Sequence, residues 1–116
     1  MDSLKVSALR ERLVKRHDEL VANLNRIDDQ RRAVENHVES MDEASYSNRR
    51  ELFRLLSRWW HEEIYQVDQA LARILAGRYG ICLGCGGAIE YARLEAFPES
   101  EYCDGCHAVW EKIARS

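Results

Sequence analysis

All four cysteines of the chain fall in one stretch, CLGCGGAIEYARLEAFPESEYCDGC at residues 82–106, as two C-x-x-C pairs separated by seventeen residues. Three chemistries use such pairs: a redox dithiol, structural disulfides, and the cage of one metal ion. A redox C-x-x-C is normally a single pair at a strand-to-helix junction, and no βαβ pattern precedes this one. Disulfides belong to chains that pass through an oxidising compartment. The opening MDSLKVSALRERLVKRHDEL is charged throughout and holds no apolar leader, which reads as a cytoplasmic chain in a reducing environment. The spacing therefore points to one tetrahedral zinc held by Cys82, Cys85, Cys103 and Cys106, with Gly84, Gly86, Gly87 and Gly105 placed where the knuckles must bend. A site closed by four thiolates has no open coordination position, so this zinc is structural.

The elements that must carry the cage are helical. Val6, Leu13, Leu20, Ile27, Val34 and Met41 recur every seven residues, Leu9, Leu24 and Val38 widen the stripe, and no Gly or Pro interrupts it. The spacing predicts a helix of about 35 residues, ~50 Å long at 1.5 Å per residue. A second series, Phe53, Trp60, Val67 and Ile74 with Leu56, Ile64 and Leu71, predicts a second long helix ending at Gly77. The polar break between them, ESMDEASYSN, is short enough to force the helices antiparallel. The expected fold is mainly α: an antiparallel coiled-coil hairpin over residues 1–77 with its tip at 39–47, then a four-cysteine module over 78–116. A closing helix in HAVWEKIARS should pack Val109, Trp110 and Ile113 inward. In the seams, His17 and Arg31 stand where apolar residues are expected and should snorkel or pair with acids. Trp59, beside Trp60, cannot share its face and should be exposed or covered by a partner.

With 17 Lys+Arg against 20 Asp+Glu, the net charge is −3, and the chain lacks the basic footprint of a duplex-DNA binder. No apolar run reaches the ~20 residues of a membrane span. No nucleophile, base and orienting group occur together, and His61 and His107 have no evident catalytic company, so an enzyme is not expected. The tip carries the acids Glu39, Asp42 and Glu43. Read blandly, these are a solvated turn in which Asp42 or Ser45 caps the second helix.

The pattern as a whole resembles the DksA/TraR family of bacterial RNA polymerase-binding transcription factors. The zinc signature is matched by Cys82, Cys85, Gly86 and Ile89, then Arg93, Leu94, Ala96 and Pro98, then Cys103 and Cys106. The tip motif D-x-x-D-x-A is matched by Glu39, Asp42 and Ala44, with Glu in place of the first Asp. The resemblance implies a monomeric factor that binds RNA polymerase rather than promoter DNA. Its coiled coil would enter the secondary channel, and its acidic tip would lie near the active centre and alter initiation. Arg49, Arg50, Arg54 and Phe97 are candidate polymerase contacts; the arginines should pair with acids of the first helix or meet an acidic rim of polymerase. Longer members carry extra N-terminal helices beside the coil, whereas here the first helix starts almost at residue 1. In several members the alarmone ppGpp binds between factor and polymerase on three basic side chains. Aligned without gaps, those positions here are Gln66, Phe97 and His107, none a fixed positive charge, so dependence on ppGpp at that interface should be lost. Two rival readings stay open: a zinc module that binds nucleic acid directly through Arg49, Arg50, Arg54 and Arg58, and a helical adaptor anchored by Trp59.

Overall fold

The computed structural model describes residues 1–115; Ser116, the last residue of the expected module, lies outside them. The described chain is mainly α, an antiparallel coiled-coil hairpin followed by a four-cysteine module and a short closing helix. The elements are α1 (Ser3–Asn36), a 3₁₀ turn (Val38–Ser40), α2 (Glu43–Leu75), α3 (Tyr91–Ala96) and α4 (Asp104–Arg115). Among the described residues the only β pairing is an isolated antiparallel bridge between Ile81 and Ala88.

The long helices begin and end on recognisable chemistry. Asp2 caps α1, its Oδ1 accepting from the Lys5 N–H at 2.8 Å. Asp42 caps α2 in the same way, with the Ser45 N–H at 2.7 Å. This cap starts α2 at Glu43, inside the stretch read as a polar break, so the tip is shorter than expected. The end of α2 is a Schellman motif: Gly77 has φ of 71°, its N–H reaches the Ile74 carbonyl at 3.1 Å, and the Arg78 N–H reaches that of Arg73 at 2.9 Å.

The chain forms two compact units. One comprises residues 17–65, the distal half of α1, the turn and the first part of α2. Leu20 and Phe53 are buried there, and Trp59 and Trp60 meet edge to face with ring centroids 4.5 Å apart. Trp59 is 48% exposed, as its position beside Trp60 demands. Arg31 stands in the seam by pairing with Glu35 at 3.1 Å and Asp28 at 3.9 Å. The α2 arginines pair differently from expectation. Arg54 bonds Glu51 at 2.6 Å and Arg58 bonds Glu62 at 3.4 Å, both within α2 rather than across to α1, because i,i+3 and i,i+4 partners are nearer than the facing helix.

The other unit comprises residues 1–16 and those from 66 onward. Leu9, Leu13, Val67 and Ala70 are buried in it, and Leu9, Cys82, Ile89 and Leu94 form a core flanked by Tyr79, Tyr91 and Tyr102. Burying each of the leucines favours the fold by about 1.5–3 kcal/mol. One expectation fails here. Val109, Trp110 and Ile113 do not pack inward but are 57%, 52% and 70% exposed. α4 is tied down at its first turn by Cys103, Cys106 and Asp104, so its body needs no apolar burial to stay in place.

Candidate metal centre

The first knuckle folds around the Cys82 backbone. The Cys82 N–H donates to the Gly87 carbonyl at 2.7 Å, and the Gly86 N–H, in a residue with φ of 75°, donates to the Cys82 carbonyl at 3.0 Å. These bonds turn the chain so that the Gly84 N–H points at Cys82 Sγ, 3.3 Å away. The second knuckle runs straight into α4, where the Cys106 N–H faces Cys103 Sγ at 3.5 Å and the His107 N–H bonds the Cys103 carbonyl at 2.8 Å. Gly84 leaves room for the sulfurs: a Cβ there would lie 3.0 Å from Cys106 Sγ. Gly105, expected to bend the second knuckle, is instead the second residue of α4 with open space where its Cβ would be.

The four Sγ atoms lie within 4.8 Å of one another, and Cys85 and Cys103 are 3.9 Å apart. A tetrahedral zinc with bonds of ~2.3 Å needs sulfurs about 3.8 Å apart, so the cage fits the ion. Backbone N–H groups, that of Cys103 foremost, pull the Cys82 thiol down to about 6, whereas hydrogen bonding to Cys82 and the other sulfurs pushes Cys106 up to about 12. One zinc, held by these four cysteines, is the cofactor.

The cage is braced from outside by groups that residue types alone did not mark. Glu90 accepts from the Asp104 N–H at 3.0 Å, and Arg93 Nη1 donates to Asp104 Oδ1 at 3.1 Å, so α3 and the start of α4 are clamped together. Tyr79 donates its hydroxyl to the Pro98 carbonyl at 2.8 Å, and burial pushes that phenol up to about 12.

Residues 77–112 match the prokaryotic dksA/traR C4-type zinc finger. The four-cysteine module is thus of the dksA/traR zinc-finger type. The chain is similar to the RNA polymerase-binding transcription factor DksA of Caulobacter vibrioides, 34% identical over 94 residues that make up 81% of this chain and 62% of the relative. This chain thus spans about three fifths of the length of that curated relative. An uncharacterised protein of Aquifex aeolicus is 46% identical over 41 residues, 35% of this chain and 28% of its own. The fold matches that of transcription factor DksA2 from Pseudomonas aeruginosa with a TM-score of 0.87, at 26% identity, covering 99% of this chain and 89% of that one.

The remaining predicted residues fall in two places. Glu39, Asp42 and Ala44 lie exposed around the turn into α2, with the Asp42 carboxyl held below its usual range by the Ser45 backbone and hydroxyl. Arg49, Arg50 and Arg54 follow, exposed, on the first turns of α2. Gln66, Phe97 and His107, dispersed in sequence, converge on a single basin of about 340 Å³. No helix among the described residues is long and apolar enough to cross a membrane.

Proposed function

We propose that this protein regulates transcription by binding bacterial RNA polymerase directly, in the cytoplasm and as a monomer. The hairpin of residues 1–77 carries the tip, and the four-cysteine module that follows stabilises its base. The tip enters the polymerase secondary channel, where Glu39, Asp42 and Ala44 act near the active centre, while Arg49, Arg50, Arg54 and Phe97 contribute to docking. The observation that carries this reading is the turn at α2: an exposed carboxylate, Asp42, fixed in direction by the Ser45 N–H at 2.7 Å, followed by the exposed Glu43 and the small Ala44. An acidic, narrow surface of this kind suits a basic channel. The likeness to a relative named as RNA polymerase-binding supports the partner. Direct nucleic-acid binding is disfavoured by the net charge of −3 and by the pairing of Arg54 and Arg58 with acids of their own helix.

The alarmone ppGpp is not required at this interface, since Gln66, Phe97 and His107 offer no fixed charge to a phosphate. In vitro transcription with purified polymerase tests the tip. Asp42→Asn and Ala44→Thr should both abolish the effect on initiation while binding to core polymerase persists; normal regulation by both variants would reduce the tip to a solvated turn.

A further inference from the structure

The basin that gathers Gln66, Phe97 and His107 has a chemistry of its own. Its walls are aromatic: Phe97 and Trp110 are 58% and 52% exposed, and Tyr102 lies between other lining groups. The backbone at Phe97 is held by three hydrogen bonds. Its N–H bonds the Arg93 carbonyl at 2.8 Å, and Ser100 returns both its N–H, at 3.0 Å, and its hydroxyl, at 2.6 Å, to the Phe97 carbonyl. On α4, His107 stacks on Trp110 with an interplanar angle of 19° and is held by Glu111 at 2.8 Å. An aromatic face fixed in solvent before any partner arrives loses little entropy on binding.

Charge at the basin runs negative. Glu99 and Glu101 are on its lining, and the one guanidinium there, Arg93, is engaged by Asp104 at 3.1 Å. The Arg93 Nε is buried and out of reach of an incoming group. Arg73 lies 3.8 Å from the Glu101 carboxylate, but at Glu99 it bonds the backbone carbonyl, at 3.4 Å, and not the carboxylate. On the basin's lining, two carboxylates, Glu99 and Glu101, therefore stand against one guanidinium, Arg93, which Asp104 already engages. π faces beside excess carboxylate favour a cation and repel an anion.

We propose that this basin receives a lysine or arginine side chain of the partner protein, its cation lying against Trp110 and Phe97 and toward Glu99. The inference rests on polymerase being that partner and names the chemistry that polymerase presents here. The test measures affinity of zinc-loaded protein for core RNA polymerase, with zinc content and circular dichroism verifying that each variant is folded. Trp110→Leu keeps apolar area but loses the π face and should weaken binding about threefold to thirtyfold, while Trp110→Phe should stay near the parent. Glu99→Gln should weaken binding, Glu99→Lys should weaken it further, and both losses should shrink in high salt. Tighter or unchanged binding by Glu99→Lys, or equal binding by Trp110→Leu and Trp110→Phe, overturns the proposal in favour of an anionic or a purely apolar occupant. If the unmutated protein fails to bind polymerase, it is the functional reading that falls. The basin is then tested alone by NMR titration with N-acetyl-arginine amide and with sodium pyrophosphate: shifts of the Trp110 indole with the first and not the second uphold the cation site, and any other pattern removes it.

Discussion

At the scale of single residues, the metal cage depends on a glycine that does not ligate. A methyl group at Gly84 would stand 3.0 Å from Cys106 Sγ and 3.2 Å from its Cβ, so Gly84→Ala must push the Cys106 ligand aside by a few tenths of an ångström. Groups that orient ligands typically matter tenfold to a hundredfold in metal affinity, and we expect a loss of about that size in competition with a chromophoric chelator. Gly105→Ala is the contrast: nothing lies near its Cβ, and alanine favours a helix by about 1 kcal/mol, so zinc affinity should hold and stability should rise. Asp42 gives a second residue-scale prediction. Its folded pKa is lowered by the Ser45 N–H, so the cap contributes stability above the ordinary aspartate pKa of about 4 and loses it as pH falls through the lower folded value. Protection of the Ser45 amide against hydrogen exchange should therefore drop below about pH 4. The Asp42→Asn variant keeps a capping oxygen without a titrating charge and should abolish that pH dependence, which also makes it a fair test of function in a folded protein.

At the scale of elements, the same apolar periodicity was readable in one place and misleading in another. The sevenfold repeats mark α1 and α2, because each stripe has a long facing helix to bury it, but Val38 and Met41 of the first stripe lie beyond the end of α1 at Asn36. Asp42 reads as a cap in sequence, yet the expected tip is too long, since Ala44 to Asn48 carry turn-compatible types that the cap recruits into helix. Val109, Trp110 and Ile113 carry an apolar stripe too, but nothing in sequence reveals that zinc ligation at Cys103 and Cys106 anchors α4 and leaves that stripe outward. Ala70, wholly buried, is not legible in sequence because a small residue adds little to a hydrophobic pattern. The basin around Phe97 joins residues far apart in the chain and is visible only in three dimensions. These distinctions fix what metal removal does. Cys82 is part of the core that also contains Leu9, Ile89 and Leu94. Strong chelation should unfold α3 and α4 and fray the start of α1, while the unit of residues 17–65, which holds no ligand, stays helical by circular dichroism and NMR. Gly77→Ala acts at the end of α2 without touching the metal: a φ of 71° strains any L side chain, so urea unfolding should show a loss of roughly 1–2 kcal/mol with zinc stoichiometry unchanged.

At the scale of the whole molecule, the proposed polymerase reading raises the question of whether a signalling nucleotide must join the protein there. A tetra- or penta-anionic ligand needs fixed cations, and each lysine or arginine contact with phosphate is worth about 1.5–3 kcal/mol as a charge-assisted hydrogen bond. Gln66 and Phe97 supply none, and His107 is already bound to Glu111 and stacked on Trp110. Glu99 and Glu101 add repulsion at the same lining. The deficit of two or three contacts corresponds to orders of magnitude in affinity, more than the one engaged guanidinium of Arg93 restores. Transcription assays on a polymerase lacking its other ppGpp site should therefore show full regulation by this protein alone and no potentiation when ppGpp is added. Strong potentiation, lost on His107→Ala or Arg93→Ala, would mean that the nucleotide still binds in the basin and that its acids are neutralised in the complex.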